Sequence, residues 1–146
     1  MVEPAFRPAT DADRPELVWL EGVARDGLDG QRGADLWADA HPRQSPEWPA
    51  VTDGEVLVST IIDVPVGYVR FSVVDAVLYV HDIFVHPEAR EVGCGDGLLA
   101  AAIEVGRSRG ARRIEAEALP GDRHTKNLYE RAAITAKRIV VSAPLD

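Results

Sequence analysis

One cysteine among 146 residues excludes an internal disulfide, and with four scattered histidines it offers no zinc-ligand spacing. No structural metal is expected. No apolar run approaches the roughly 18 residues that a membrane-crossing helix needs. Met1 to Arg7 lacks a basic head followed by an apolar core, so the chain is expected in the cytoplasm, with no membrane association. Basic residues are in the minority, 16 Lys and Arg against 24 Asp and Glu, for a formal charge of -8. Binding nucleic acid relies on Lys and Arg to neutralise phosphates, so nucleic acid is not an expected partner and a cationic substrate fits better. Repeats, linkers and low-complexity runs are also missing. What is present is ordinary globular composition, 46% hydrophobic and 27% charged. A single domain over residues 1–146 is expected, long enough to bury about two-thirds of its unfolded surface.

Along the chain, Ala5 to Pro8 fits a short edge strand. Asp13 with Glu16 makes a capping-box pattern ahead of a helix carrying Leu17, Leu20 and Ala24. Gly27 to Pro49 is rich in Gly, Pro and Asp around a helical piece, Ala34 to Ala40, with Trp37 inside and Trp48 beyond. A variable, partly mobile surface is expected there. Glu55 to Ile62, Val66 to Val74 and Val77 to Val85 are strand-like, broken at Asp63-Val64-Pro65 and Asp75-Ala76, and predict a three-strand antiparallel meander. After Pro87 the apolar period changes. Leu98, Leu99, Ala102, Ile103 and Gly106 share one helical stripe that stops at Gly110. Ile114, Ala116 and Ala118 alternate as a strand, Asp122 caps a helix running to about Ala133, and Ile139 to Ser142 reads as a last strand.

The chemistry concentrates at Arg90-Glu91-Val92-Gly93-Cys94-Gly95-Asp96-Gly97, between the strand ending at His86-Pro87 and the apolar helix. A helix start has backbone N–H groups without partners and a partial positive charge, so an anion fits if its approach is clear. Glycines at 93, 95 and 97 are expected to clear it. Arg90 adds a cationic fork worth about 1.5–3 kcal/mol, against roughly 1 for the helix dipole. Other phosphate motifs fail on spacing. Leu98 stands where a dinucleotide fingerprint needs its third glycine, and no Gly-Lys-Ser/Thr is present. The bland reading of the glycines is a flexible turn.

Arg90-Glu91-Val92-Gly93-Cys94-Gly95 resembles the signature of the GNAT superfamily of acyl-CoA-dependent N-acyltransferases: Arg or Gln, two residues, Gly, one residue, then Gly or Ala. Ile83-Phe84-Val85-His86-Pro87 is similar to the ending of that family's fourth strand. Thr125-Lys126-Asn127-Leu128-Tyr129-Glu130 resembles its second conserved helix. The match runs from Val66 to about Val140. It implies an α+β, three-layer fold with a mostly antiparallel mixed sheet, splayed between strands 4 and 5 and flanked by helices. It also implies acetyl-CoA as co-substrate.

By position, the resemblance gives the pantetheine arm to freed backbone groups of Ile83, Phe84 and Val85 near a bulge, which would also polarise the thioester carbonyl. It gives the pyrophosphate to Arg90, Glu91, Val92, Gly93, Cys94, Gly95 and Asp96. Asp122 and Asn127 are further cofactor contacts on the same ground, although Asp122 is equally a helix cap. Transfer to an amine needs a base, because the ammonium has a pKa near 10. Asp82 is the candidate, where many relatives carry Glu; the alternative is a strand-end Asp bonded to a turn. His81 ranks below it and should face the opposite way unless a bulge intervenes. Tyr129 matches the tyrosine that protonates the departing thiolate, and otherwise reads as a core tyrosine. Cys94 lacks Cys-His-Asn partners and reads as a small residue in a variable slot.

Two departures stand out. Ala133-Ile134 replaces the Gly-Phe usual in relatives, and the sequence after it has room for one strand where many relatives have two. The acceptor site is therefore expected to be open, or completed by a second subunit in a homodimer. The leading expectation is an N-acetyltransferase acting on a small-molecule or peptide primary amine in a ternary complex. The alternative is a non-catalytic CoA-binding sensor of the same fold.

Overall fold

Strands whose apolar residues alternate, followed by a helix apolar along one stripe, need a sheet with covered faces, and the computed structural model, which describes residues 2–146, has that arrangement. The elements are β1 (Ala5–Pro8), α1 (Arg14–Leu28), α2 (Ala34–Ala40), β2 (Val56–Ile61), β3 (Val64–Val74), β4 (Val77–Val85), α3 (Cys94–Ser108), β5 (Arg113–Ala116) and α4 (Arg123–Arg131). The sheet order is β1-β2-β3-β4-β5. The first four strands are antiparallel, and β5 runs parallel to β4, as the crossover through α3 requires.

Two apolar layers sit on opposite faces. Val69, Phe71, Leu78, Val80 and Val85 pack with Leu98, Leu99 and Ala102 of α3 on one face. Val56, Val58 and Tyr68 pack with Leu17 and Leu20 of α1 and with Trp48 on the other. Alternation along β3, with Tyr68 on one face and Val69 and Phe71 arranged around it, divides the layers.

The turns between strands are tight. Ile62-Asp63 and Asp75-Ala76 all have positive φ, the arrangement that matches the twist of two-residue hairpins. The first turn thus lies earlier than the expected Asp63-Val64-Pro65 break. Pro65 instead enters β3, beside a register shift at Ser59/Thr60 that tolerates its missing N–H.

Three further expectations change. The capping pair is Thr10 and Asp13, not Asp13 and Glu16: the Asp13 carboxylate accepts the Thr10 N–H at 2.7 Å and holds Arg7 at 2.7 and 2.9 Å. Arg7 supplies the stronger charge and draws Asp13 away from the α1 start. The Gly27 to Pro49 stretch is not merely surface, because Trp48 is fully buried edge-on to Tyr68, and Glu21 accepts the N–H groups of Gln44 and Ser45 at 2.8 and 2.9 Å. The last strand does not form. Ile139, Val140 and Val141 are exposed and in no strand. A strand needs a partner for its backbone groups, and local propensity alone does not supply one.

Gly97 is required by packing. A Cβ there would overlap the Phe6 ring, which crosses α3 from β1. Gly97→Ala is expected to lower stability by about 1–3 kcal/mol, read as the midpoint of urea denaturation. An unchanged midpoint would mean that Phe6 and β1 shift freely.

Candidate active site

The loop from β4 to α3 begins with a turn at Pro87–Ala89, capped by His86 Nδ1, which accepts the Glu88 N–H at 3.1 Å. Glu91 and Gly93 then adopt left-handed conformations, with φ of 72° and 88°. The non-glycine at 91 stores strain of a kind that concentrates at binding sites. Gly93 is the N-cap of α3, and a Cβ on it would meet open space. No hydrogen bond among the described residues engages the six consecutive backbone N–H groups of Glu91 to Asp96. Such a run, with the helix dipole behind it, is an anion cradle, and the arrangement fits the phosphates of a cofactor such as CoA.

Only Gly93 clears the anion's approach, which narrows the expectation for three glycines. Gly97 makes room for Phe6, and Gly95 faces Leu128 and Val85 at 3.5–3.8 Å. Arg90 anchors the loop. Its Nε donates to the Val85 carbonyl at 3.1 Å and its guanidinium lies 5.8 Å from the Phe84 ring centroid, with its terminal nitrogens free of protein acceptors. Cys94 is 1% exposed in the core, and burial raises its thiol above the ordinary range, so it is a packing residue and not a nucleophile. Glu91 and Val92 are exposed on the loop. Asp96 pairs with Arg131 of α4 at 3.0 Å.

β5 stops at Ala116, opposite Val80, so β4 runs on alone from His81. The His86 N–H donates to Val66 O at 2.8 Å, which fixes the alternation of the β3–β4 ladder. Phe84 then bonds across to Tyr68, while the backbone groups of Ile83 and Val85 face away from β3 into the splay. Of the three residues expected to have free backbone groups, Phe84 is therefore committed to the sheet and the Val85 carbonyl to Arg90, which leaves the groups of Ile83 and the N–H of Val85. The bulge lies earlier, where Arg70 pairs with Asp82 and Phe71 with Val80, leaving His81 as the extra residue.

The bulge resets which face each side chain takes. Leu78 and Val80 enter the α3 layer, but Phe84 packs on the α1 layer. His81 and Asp82 consequently lie on the same side, contrary to regular alternation. His81 stacks near Tyr79 and its Nε2 lies 2.6 Å from Ser72 Oγ, so it is turned away from Asp82 toward β3. Asp82 accepts the Tyr68 hydroxyl at 2.7 Å. Burial raises the Asp82 carboxyl above its ordinary value, partly offset by the Tyr68 hydrogen bond and the charges of Arg25 and Arg70. Tyr129 is 7% exposed on α4, and no group among the described residues hydrogen-bonds its hydroxyl. Burial first, then the charges of Asp82 and Asp122, raise its phenol above the ordinary range. Tyr129 packs in the α3 layer and Asp82 lies on the α1 face, and the Asp82 charge still contributes to the raised phenol.

Asp122 is the N-cap of α4: its carboxylate accepts the Thr125 N–H at 3.2 Å and the Thr125 hydroxyl at 2.7 Å. Asn127 is exposed on the same helix. Residues that sequence reasoning missed are Tyr68, which holds Asp82, and Arg25 and Arg70, whose charges act on it. Their place depends on strand register and helix docking, and no local motif carries either. No group of three or more His, Cys, Asp and Glu suited to a metal occurs among the described residues, and none of their helices is long and apolar enough to cross a membrane.

The fold is similar to that of aminoglycoside N-acetyltransferase AAC(6')-Iy in complex with CoA, with a TM-score of 0.72, 15% identity, and coverage of 97% of this chain and 99% of that one. It is similar to PaiA N-acetyltransferase from Thermoplasma acidophilum in complex with coenzyme A, at TM-score 0.73, 11% identity, and coverage of 89% and 88%. Ribosomal-protein-alanine N-acetyltransferase from Brucella melitensis biovar Abortus 2308 is a third likeness, at TM-score 0.66, 19% identity, and coverage of 100% and 99%. No curated protein sequence matches the chain. The model of the acetyltransferase (GNAT) family matches residues 16–133, and the chain therefore belongs to that family and is an acetyltransferase of its kind.

Proposed function

We propose that this protein moves an acetyl group from acetyl-CoA to a primary amine by direct attack in a ternary complex, within one domain spanning residues 1–146. The observation that carries this reading is the run of unpaired N–H groups from Glu91 to Asp96, set at the end of a β4 that has parted from β5. The cradle takes the pyrophosphate, with the free nitrogens of Arg90 beside it. The splay-facing N–H and carbonyl of Ile83 and the N–H of Val85 take the pantetheine arm, and a backbone N–H there stabilises charge on the carbonyl oxygen, a contribution typically around 3 kcal/mol. The co-substrate supplies an activated acyl carbon and a thiolate leaving group.

Asp82 removes the proton that the amine must lose, directly or through water. Its raised pKa makes it a stronger base than an exposed carboxylate while Tyr68 orients it. Tyr129, kept protonated by its own raised pKa, gives a proton to the departing thiolate. Asp122 and Asn127 support the cofactor side through the position of α4. The open outer edge of β5 and the exposed Ile139, Val140 and Val141 favour a homodimer at the acceptor end. A cytoplasmic location fits an acetyl-CoA-dependent enzyme.

Calorimetric titration with acetyl-CoA, CoA, ATP and NAD, repeated with Arg90→Ala, tests the cradle. Micromolar acetyl-CoA binding is expected, weakened about tenfold or more in the variant, since roughly 1.4 kcal/mol corresponds to tenfold. No binding of acetyl-CoA or CoA overturns the reading. Binding without turnover on any amine would favour a CoA sensor.

A further inference from the structure

Arg25, in the last turn of α1, is a half-buried guanidinium whose Nε and Nη2 are shielded from solvent and have no hydrogen-bond partner among the described residues. Its plane lies 4.5 Å from the centroid of the Trp37 ring of α2, so the ring supports one face and leaves the donor edge unmet. The carboxylates that share its face of the sheet are engaged elsewhere. Glu21, one turn earlier on α1, accepts from Gln44 and Ser45. Asp82 accepts from Tyr68. A buried cation without hydrogen bonds is unfavourable, and an arriving anion relieves it.

Arg25 also lines a cavity of about 210 Å³, together with Trp37, Arg43, Asp29 and Asp35. This cavity lies between α1 and α2, away from the phosphate cradle at the start of α3 and on the α1 side that carries Asp82. Helix α1, which carries Arg25, packs against β4, the strand that carries Asp82, and the Arg25 charge favours the Asp82 carboxylate. Two cations and two anions around a small space suit a ligand that brings both signs. Two aspartates also oppose a dianion more strongly than a monoanion, which favours a carboxylate over a phosphate.

We propose that Arg25 is a specificity-determining residue that takes the carboxylate of an amino-acid-like acceptor, with Trp37 as its platform, so that the acceptor's amine is turned toward Asp82. The planar fork of a guanidinium matches a carboxylate through two parallel hydrogen bonds, and the ring restricts the fork to one orientation. This inference rests on the proposed transfer to an amine and narrows its substrate class to small amines that carry a carboxylate.

The test compares free amino acids and short peptides with their C-terminal amides as acceptors, at saturating acetyl-CoA, for the parent protein, Arg25→Gln and Arg25→Lys. The parent is expected to prefer the free acids. Arg25→Gln is expected to raise KM for the free acids tenfold or more relative to the amides, to change kcat to the same extent for both because the Arg25 charge also acts on Asp82, and to leave acetyl-CoA binding by calorimetry intact. Arg25→Lys should recover part of the loss. Independently of turnover and of variant folding, the Arg25 Nε–H resonance of the parent protein should shift on titration with a free amino acid and stay in place with its amide. Equal loss on acids and amides, a resonance unmoved by every free acid, or a larger response to phosphoethanolamine than to amino acids overturns the proposal. Failure of acetyl-CoA to bind instead overturns the cradle, and the resonance titration still decides the role of Arg25.

Discussion

Asp82→Asn is expected to lower kcat/KM for acetyl transfer by about a hundred- to ten-thousandfold, the range typical for loss of a general base, and at the same time to make the protein more stable at neutral pH. The two effects share one cause. Burial raises the Asp82 carboxyl above its ordinary value of 3.8, so the folded state disfavours its charge. For a raised carboxyl, the stabilising contribution is fully present below the unfolded pKa and is lost as pH rises through the folded pKa. At neutral pH the ionised Asp82 is therefore a cost, and Asn removes it while still accepting the Tyr68 hydroxyl. The pH profile of the parent should show an acidic limb whose midpoint lies above 3.8, and the variant should lack that limb. Stopped turnover with a higher denaturation midpoint is the expected pair of measurements. Full turnover in the variant would remove Asp82 from the chemistry.

Tyr129→Phe should reduce kcat by about a hundredfold or more while leaving acetyl-CoA affinity and stability close to the parent. The hydroxyl has no protein partner, so its removal orphans nothing. Burial, with the charges of Asp82 and Asp122, raises the phenol above its ordinary range. A phenol held protonated across neutral pH is a reserve of protons for a thiolate, and phenylalanine preserves the packing without that reserve. Turnover near the parent value, with stability lowered by roughly 1 kcal/mol or more, would instead make Tyr129 a packing residue.

Much of this was legible in the chain. The β2–β3–β4 meander, α3 with its stop at Gly110, and α4 behind Asp122 follow from period-2 and period-3.6 apolar patterns, which are local properties. The cradle was legible for the same reason: Arg90, Gly93 and the apolar stripe after it lie within a few residues, and a helix start dictates what its N–H groups do. The mostly antiparallel mixed sheet was implied by the family resemblance, while the strand order and the pairing of β5 with β4 came from the structure.

Other features were not legible. Ile139 to Ser142 has strand propensity without a partner, and propensity does not create a ladder. Gly97 looked like part of the phosphate loop, yet its lack of a Cβ serves Phe6, which lies far away in sequence on β1. The capping pair moved because Arg7 drew Asp13. In each case a contact made, or missing, beyond the local pattern outweighed a local preference.

By itself the sequence determined the type and order of the elements from β1 to α4, the glycine-led start of α3 and the residue types available for proton transfer, because these depend on neighbours a few positions apart. Only the tertiary structure decided that a bulge at His81 brings Asp82 onto the α1 face, that Tyr68 orients it, that Tyr129 is buried in the α3 layer, and that Arg25 lies over Trp37 with two shielded nitrogens lacking partners among the described residues. Those relations join residues tens of positions apart, and a one-residue change of register would send each side chain to the opposite face of the sheet.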